Sequence, residues 1–396
     1  MVPKGWEIKH LSELASKISD GIHKTPLYAD TSEIYFINGN NLKSGSIVIQ
    51  DSTKCVDEND AINHRKDLGV RTLLMSINGT IGNLAYYRGE NVVLGKSASY
   101  INIKDSVNLD FIYYVLSSSK TQAFYESELT GTTIRNLSIK SIKSTEILTP
   151  PLPEQKKIAQ ILSTWDKAIS VTEKLLTNSQ QQKKALMQQL LTGKKRLLDE
   201  NGVRFSGVWE KYSLEELESL QWIELGRGKV ISKKDILNMP GRYPIYSSSV
   251  KNGGLMGCYG MFMFDEELIS WSVDGGGDFF YRPKHKFSVT NVSGYMRVQC
   301  SKISYPFLAS QLQLQHSALE FDYQSKAHPS VIRKLYEVVL PELREQQKIA
   351  VVLSTADAEI STLEKKLACL KDEKKALMQQ LLTGKRRVKV DEAVAE

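Results

Sequence analysis

The sequence predicts an α+β protein: two globular domains separated by two long antiparallel helices that form an intramolecular coiled coil in a pseudo-two-fold tandem repeat. Three observations predict it. A 43-residue segment recurs at a constant offset of 191 residues. Both copies carry apolar residues at alternating 4,3 spacing. The longer stretch preceding each copy breaks into short β-like runs punctuated by turn residues.

In chain order, residues 1–153 form a first domain. Tyr35–Ile37 ends at the turn Asn38–Asn41, Ser46–Ile49 follows Gly45, Thr72–Ile77 ends at Asn78-Gly79, and Leu84–Tyr87 stops before Arg88-Gly89. Helices are expected at Leu109–Ser117 and Lys120–Glu128.

Residues 154–196 are the first helical segment. Ile158, Leu162, Trp165, Ile169, Leu176, Leu186 and Leu190 share one register, weakened by Thr172, Ser179 and Lys183. Residues 197–344 are a linker and second domain, with strands expected at Met261–Phe264, Leu268–Ser272, Phe279–Tyr281 and Tyr295–Gln299 and a helix at Phe307–Leu319. Trp209-Glu210 with Leu214, Glu216 and Leu217 echoes Trp6-Glu7 with Leu11, Glu13 and Leu14, at an offset of 203.

Residues 345–390 are the second helical segment, whose seam runs through Ile349, Leu353, Ala356, Ile360, Leu363, Leu367, Leu370, Leu377 and Leu381. The two segments are identical at 27 of 43 positions, twelve of them consecutive. Glu154 and Glu345 suit a helix N-terminal dipole, and Gly193 and Gly384 suit the position just past a helix C-terminus. About 39 helical residues at ~1.5 Å each give a rod on the order of 58 Å. Neither helix has a second apolar face for a globular core, so each copy is expected to pack on the other. Equal length and gapless alignment favour an internal ruler over a dimerisation coiled coil.

Composition narrows the function. The net charge is +7, with 41% hydrophobic and 24% charged residues. Lys+Arg and Asp+Glu balance over 1–153 and 197–344, so the basic excess lies in the two helical segments, against an acidic tail at 391–396. The absence of an 18-residue apolar run or a signal-like start predicts a soluble, cytoplasmic protein without a membrane partner. The four scattered cysteines have no metal or disulfide spacing and are expected to be buried. The six histidines show no zinc-type spacing.

No catalytic residue is visible. Gly89 to Ser97 has five residues between the glycines where a phosphate-binding loop has four. Gly275–Gly277, between Asp274 and Asp278, reads as a tight loop more readily than as a cation site. There is no nucleophile elbow and no adenine-methyltransferase signature.

What the loops do carry is amide, hydroxyl and basic side chains of the kind that meet base edges and phosphates. In the first domain these are His23, Lys24, Thr25, Asn38, Asn40, Asn41, Lys43, Asn78, Thr80, Lys96, Ser97, Thr132, Thr133, Arg135 and Asn136. In the second they are Lys229, Lys233, Tyr246, Ser247, Ser248, Ser249, Asp274, Tyr281, Arg282, Lys326 and His328.

The P-L-P-E-Q-K-K-I-A opening at Pro151, the K-K-A-L-M-Q-Q-L-L-T-G-K closing at Lys183, and their repetition after a second, divergent domain resemble the specificity subunits of type I restriction–modification systems. Gly21–Pro26, Asn38–Asn41, Met75–Gly82 and Gly131–Ser138 look like target-recognition blocks. Tyr243–Ser248 and Trp271–Gly277 look like those of a different class, and Ser325–Ser330 is a variant of the Gly131–Ser138 block. The resemblance implies that each domain reads one half of an asymmetric bipartite site in double-stranded DNA while the helices set the spacer, with half-site centres about 34–36 Å apart.

It further implies a chain without catalysis or cofactor of its own. The partners would be two modification subunits that use S-adenosylmethionine and two restriction subunits that use ATP and Mg²⁺. The outward lysines Lys156, Lys157, Lys183, Lys184, Lys374 and Lys375 are candidates for docking the modification subunits. The competing readings are a specificity subunit for a methyltransferase alone and a coiled-coil adaptor that binds only proteins.

Overall fold

The computed structural model describes residues 2–131, 135–249, 251–273, 278–319 and 327–390. The positions Thr132, Thr133, Asp274, Lys326 and the tail 391–396 lie outside the described residues. The chain divides into two compact units. The first holds residues 1–172 and 366–396, the second 173–365. Each unit therefore contains one domain, the first part of one long helix and the last part of the other.

In the first unit a four-stranded antiparallel sheet has the order Ala15–Asp20, Ala98–Ile103, Thr72–Ser76, Leu84–Tyr86. A second four-stranded sheet runs Val92–Leu94, Tyr35–Ile37, Cys55–Val56, Tyr28–Ala29, its first pair parallel. Thr72–Ser76 is buried at every position, because both faces of this strand are covered. Helices Leu109–Leu116 and Ser119–Ser127 are capped by Asn108 and Ser118, each accepting a hydrogen bond from a backbone N–H. Tyr35–Ile37, Thr72–Ser76, Leu84–Tyr86 and the two helices lie within one residue of the sequence expectation, whereas Ala15–Asp20, Ala98–Ile103, Val92–Leu94, Cys55–Val56 and Tyr28–Ala29 carry no expectation from the sequence. Val92–Leu94 is a strand, so Gly89–Ser97 is not a phosphate cradle.

In the second unit a six-stranded sheet has the order Ile223–Arg227, Ser293–Val298, Phe264–Ser272, Phe279–Val289, Tyr243–Tyr246, Leu255–Tyr259. Phe279–Val289 spans eleven residues, far beyond the expected Phe279–Tyr281, because the consecutive exposed residues Pro283 and Lys284, at a register shift against Phe264–Ser272, interrupt the two-residue alternation. The helix Tyr305–His316 covers this sheet.

The two domains differ in their sheets but share a base. Glu7–His10 pairs antiparallel with Glu146–Thr149 in one, Glu210–Ser213 with Glu337–Leu340 in the other. A short helix follows the first strand of each pair, Leu11–Leu14 or Leu214–Ser219.

The long helices run Leu152–Leu190 and Leu343–Leu381, 39 residues each. Gly193 and Gly384 have φ of +70° and +68°, and Lys195 and Arg386 donate their backbone N–H to Gln189 and Gln380, which closes both C-termini in the left-handed manner glycine permits. Ile158, Leu162, Leu381 and Leu382 are buried in the first domain's core, Leu190, Leu191, Ile349 and Leu353 in the second's. Midway residues such as Ile169, Leu176, Ile360, Leu363, Leu367 and Leu370 are half-buried, as in a two-helix seam with no third layer.

The polar positions expected to weaken the seam are all satisfied. Thr172 donates to the Ala168 carbonyl, Ser179 to Glu359 at 3.1 Å, and Lys183 pairs with Asp357 at 2.5 Å. The cysteines correct the expectation of burial: Cys258 and Cys369 are exposed, and Cys55 and Cys300 are partly so. Cys258 sits on an edge strand and Cys369 on a helix face outside the seam, where a small residue covers nothing.

Candidate nucleic-acid interface

The base of each domain is fixed by one repeated constellation. In the first unit Glu154 is 4% exposed. Its carboxylate accepts two hydrogen bonds from Arg387, at 2.7 and 2.8 Å, and one from Trp6 Nε1 at 3.1 Å. In the second, Glu345 is fully enclosed and accepts from Arg196 at 2.6 and 2.6 Å and from Trp209 Nε1 at 3.2 Å. Each guanidinium also lies over its tryptophan ring, 5.6 and 5.5 Å from the centroid. These forked, charge-assisted bonds hold both arginines above their ordinary pKa.

The next residue repeats as well. Gln155 accepts from Asn108 N–H and donates to the Pro150 carbonyl. Gln346 accepts from Ser304 N–H and donates to Pro341 and Lys302. The Glu-Gln pair that opens each helix is thus the bolt between helix and domain, a role the dipole argument did not reveal. Helix is tied to helix by Asp166–Lys374 in the first unit and Asp357–Lys183 in the second, both at 2.5 Å. Lys183 and Lys374 are therefore engaged between helices rather than displayed outward, while Lys156, Lys184 and Lys375 are exposed and Lys157 partly so.

In the first domain the candidate loops, far apart in sequence, meet along one rim. Gly21 N–H donates to the Ala98 carbonyl and Ile22 N–H to the Leu94 carbonyl, which lays the His23–Thr25 loop against Gly95-Lys96. A Cβ on Gly21 would sit 2.2 Å from the Gly95 carbonyl oxygen, and one on Gly95 2.3 Å from Asn38 Oδ1, so both approaches require glycine. Gly39 N–H donates to Ser97 Oγ, which itself donates to Asn38 Oδ1. Ile77 N–H reaches the Ser97 carbonyl, and Asn78 bridges to Asn136.

Within this rim the candidates separate into two groups. His23, Lys24, Thr25, Asn40, Lys43, Thr80, Lys96 and Arg135 are exposed, with His23 held to Asp20 at 2.8 Å and Arg135 3.7 Å from Glu126. Asn41 is 7% exposed: its Oδ1 accepts from Asn38 N–H and its amide donates to Val48 and Thr53. Asn38, Asn41 and Ser97 spend their hydrogen bonds on the turn, and this corrects their place among free polar groups.

In the second domain three segments converge. Arg227 donates twice to the Asn291 carbonyl, Lys229 N–H to Val289, and Thr290 Oγ1 to Ser247 Oγ at 3.0 Å. Lys229, Lys233 and Ser249 are exposed, and Ser247 and Ser248 partly so. Tyr281 and Arg282, neighbours on one strand, point to opposite faces. Tyr281 packs toward Tyr305 and lines a 410 Å³ cleft with Lys183 and Met187, away from these loops. Arg282 is 7% exposed, and its guanidinium covers the Tyr246 ring at 3.7 Å. Burial pulls its guanidinium down to about 10, against the pull of Tyr246 in the other direction. His328 caps the helix Pro329–Leu335, accepting from Ser330 N–H.

Among the described residues, no group of three or more His, Cys, Asp or Glu is placed to hold a metal ion, and no helix is long and apolar enough to cross a membrane.

The model of the type I restriction modification DNA specificity domain matches twice, at residues 3–178 and 207–371. The chain belongs to this family. Two proteins of Mycoplasma pneumoniae described as type I specificity subunits resemble it. One is 31% identical over 56% of this chain and 78% of its own length, the other 30% identical over 52% and 79%. A protein of Methanocaldococcus jannaschii described as a type I restriction enzyme specificity subunit is 25% identical over 98% of this chain and 95% of its own. The crystal structure of a type I S subunit from M. genitalium has the same fold, with a TM-score of 0.64 at 18% identity, covering 96% of each chain. The chain is a type I specificity subunit with two specificity domains.

Proposed function

We propose that each domain reads one half of an asymmetric, bipartite DNA site, that the paired helices fix the number of base pairs between the halves, and that this chain recruits modification and restriction subunits without catalysing a step itself. The observation that carries this reading is the repeated bolt. Glu154 and Glu345, with their arginine and tryptophan partners, attach two unlike domains to matching helices in the same way. Unlike heads on like mounts suit a target with unlike halves and a set spacing. Sequence is read at base edges, and the exposed amides, hydroxyls and lysines of the two loop clusters are groups of that kind.

The domains' charge neutrality leaves much of the phosphate contact to partner subunits. S-adenosylmethionine, ATP and Mg²⁺ would be used by those partners, and the complex would work in the cytoplasm. For recruitment, a 410 Å³ cleft of the first unit offers Lys120, Lys375 and Lys385 above Val115, Met378 and Leu382. Charge reversal at the exposed Lys156, Lys184 and Lys375 should weaken co-purification with the modification subunit. Unchanged assembly rejects these lysines as its docking points.

The decisive experiment maps methylated adenines in cells expressing this chain with its modification subunit. Replacing residues 1–153 by an unrelated recognition domain should alter one half-site only. Inserting four residues, about one turn or ~6 Å, after both Ser179 and Glu359, which face each other in the second unit, should change the spacer and leave both half-sites intact. An uninterrupted motif in the unmodified protein would defeat the proposal.

A further inference from the structure

Arg282 is a buried cation, and among the described residues no carboxylate pairs with its guanidinium. Its Nε donates to Ser270 Oγ at 2.8 Å and its Nη2 to the Gly253 carbonyl at 2.6 Å. It also covers the Tyr246 ring at 3.7 Å and the Phe280 ring at 4.7 Å. Burying an arginine is costly, and the cost is offset only by what its hydrogen bonds and stacking hold in place. Here they join the sheet, through Ser270 and Phe280, to both ends of one loop: Tyr246 at its start and Gly253 near its close.

Ser247 N–H donates to the Gly254 carbonyl, and Lys251 N–H to Ser249 Oγ. Three successive residues, Asn252, Gly253 and Gly254, have φ of +49°, +60° and +83°, a left-handed run that costs free energy at Asn252 and must be over-determined by its surroundings. A Cβ on Gly254 would lie 2.9 Å from the Ser247 carbonyl oxygen and 3.4 Å from Arg282 Nη2, so the loop closes tightly on the guanidinium. The loop displays Ser249, Lys251 and Asn252 to solvent, while Arg282 lies behind it at 7% exposure.

We infer that Arg282 is a positioning residue for sequence discrimination by the second domain: it fixes Tyr246, Gly253 and Gly254 from behind and does not itself touch DNA. This rests on the reading of that domain as a half-site reader. A guanidinium that contacted phosphate would add affinity at every sequence alike, whereas one that sets the conformation of a reading loop changes which bases are preferred.

The test uses the full-length chain expressed with its modification subunit and reads the methylated motif genome-wide. Arg282→Lys keeps the charge and the stem but loses the fork, so it cannot hold Ser270, Gly253 and the Tyr246 face together. Ser270→Ala removes one anchor and leaves the arginine in place. Both should relax base preference in one half-site, Arg282→Lys by about tenfold or more and Ser270→Ala by less, with the other half-site unchanged as an internal control for folding and assembly.

The inference is overturned if the relaxation is absent in both variants, or if methylation falls uniformly with base preference intact, as a phosphate contact would give. If Arg282→Lys fails to fold, Ser270→Ala decides between the same two outcomes. A wild-type motif that is not bipartite defeats the half-site reading itself, whereas a bipartite motif untouched by both variants defeats only the role assigned to Arg282.

Discussion

The two units use the same mount and carry different heads. The mount is a two-stranded base, a buried Glu-Gln pair at a helix start, and an Arg-Trp couple that returns from elsewhere in the chain to meet the glutamate. The heads share none of this regularity. The first has two four-stranded sheets and a rim in which glycines let loops touch backbone to backbone. The second has one six-stranded sheet and a loop pinned from below by an arginine. What is preserved between the units is what joins domain to helix, and what has diverged is the surface offered to a partner. A protein can therefore change its heads without redesigning its frame.

The mounts are not equal in burial, and that difference can be measured. Arg196 is 19% exposed beside a fully enclosed Glu345, whereas Arg387 is 45% exposed beside Glu154. Glu345→Ala leaves a guanidinium and an indole N–H unpaired in a closed site and should cost about 3–5 kcal/mol, seen as a lower thermal midpoint. Glu154→Ala should cost less, because water can reach Arg387 and replace part of what is lost. Equal losses would show that the enclosure of Arg196 does not matter and that the two bolts are equivalent.

The glutamines sharpen the same comparison at a smaller scale. Gln346 serves three backbone groups and Gln155 two. Gln346→Ala should destabilise by about 1–3 kcal/mol and more than Gln155→Ala, both measured by denaturant midpoint. The reverse order would mean that the third acceptor, the Lys302 carbonyl, is readily satisfied by solvent. Smallest of all are the ties between helices. Lys183→Met and Lys374→Met remove ion pairs whose aspartates are 56% and 40% exposed, so each should cost at most ~1 kcal/mol, and less at high salt. The Lys374 variant should lose slightly more, since that ammonium also lies over the Tyr114 ring at 5.3 Å. Identical salt dependence without any difference in midpoint would assign the ring contact no energetic role.

Periodicity made the long helices legible, and the fixed offset made their kinship legible. The seam positions Ile158, Leu162, Ile349 and Leu353 are buried, but in the domain cores, to which the sequence did not assign the helices, and Gly193 and Gly384 end the helices where a glycine past the last turn implied. The candidate loop residues were legible only as types. Asn41 and Asn40 are neighbours of the same kind, yet one is enclosed in its own turn and the other faces outward. Tyr281 and Arg282 were named together, and strand alternation sends them to opposite faces. Lys183 and Lys374 read as surface lysines and proved to be inter-helix partners.

The sequence by itself determined the tandem plan, the length and ends of the two helices, and the family. All of these are written in local spacing or in similarity along the chain, where the period of the backbone and the pattern of side chains coincide. Only the tertiary structure decided what Glu154, Glu345 and Arg282 do. Trp6 lies 148 residues from Glu154 and Arg387 lies 233 residues from it. A hydrogen bond depends on where atoms meet in space, and no local pattern in a chain specifies which distant residue will arrive there.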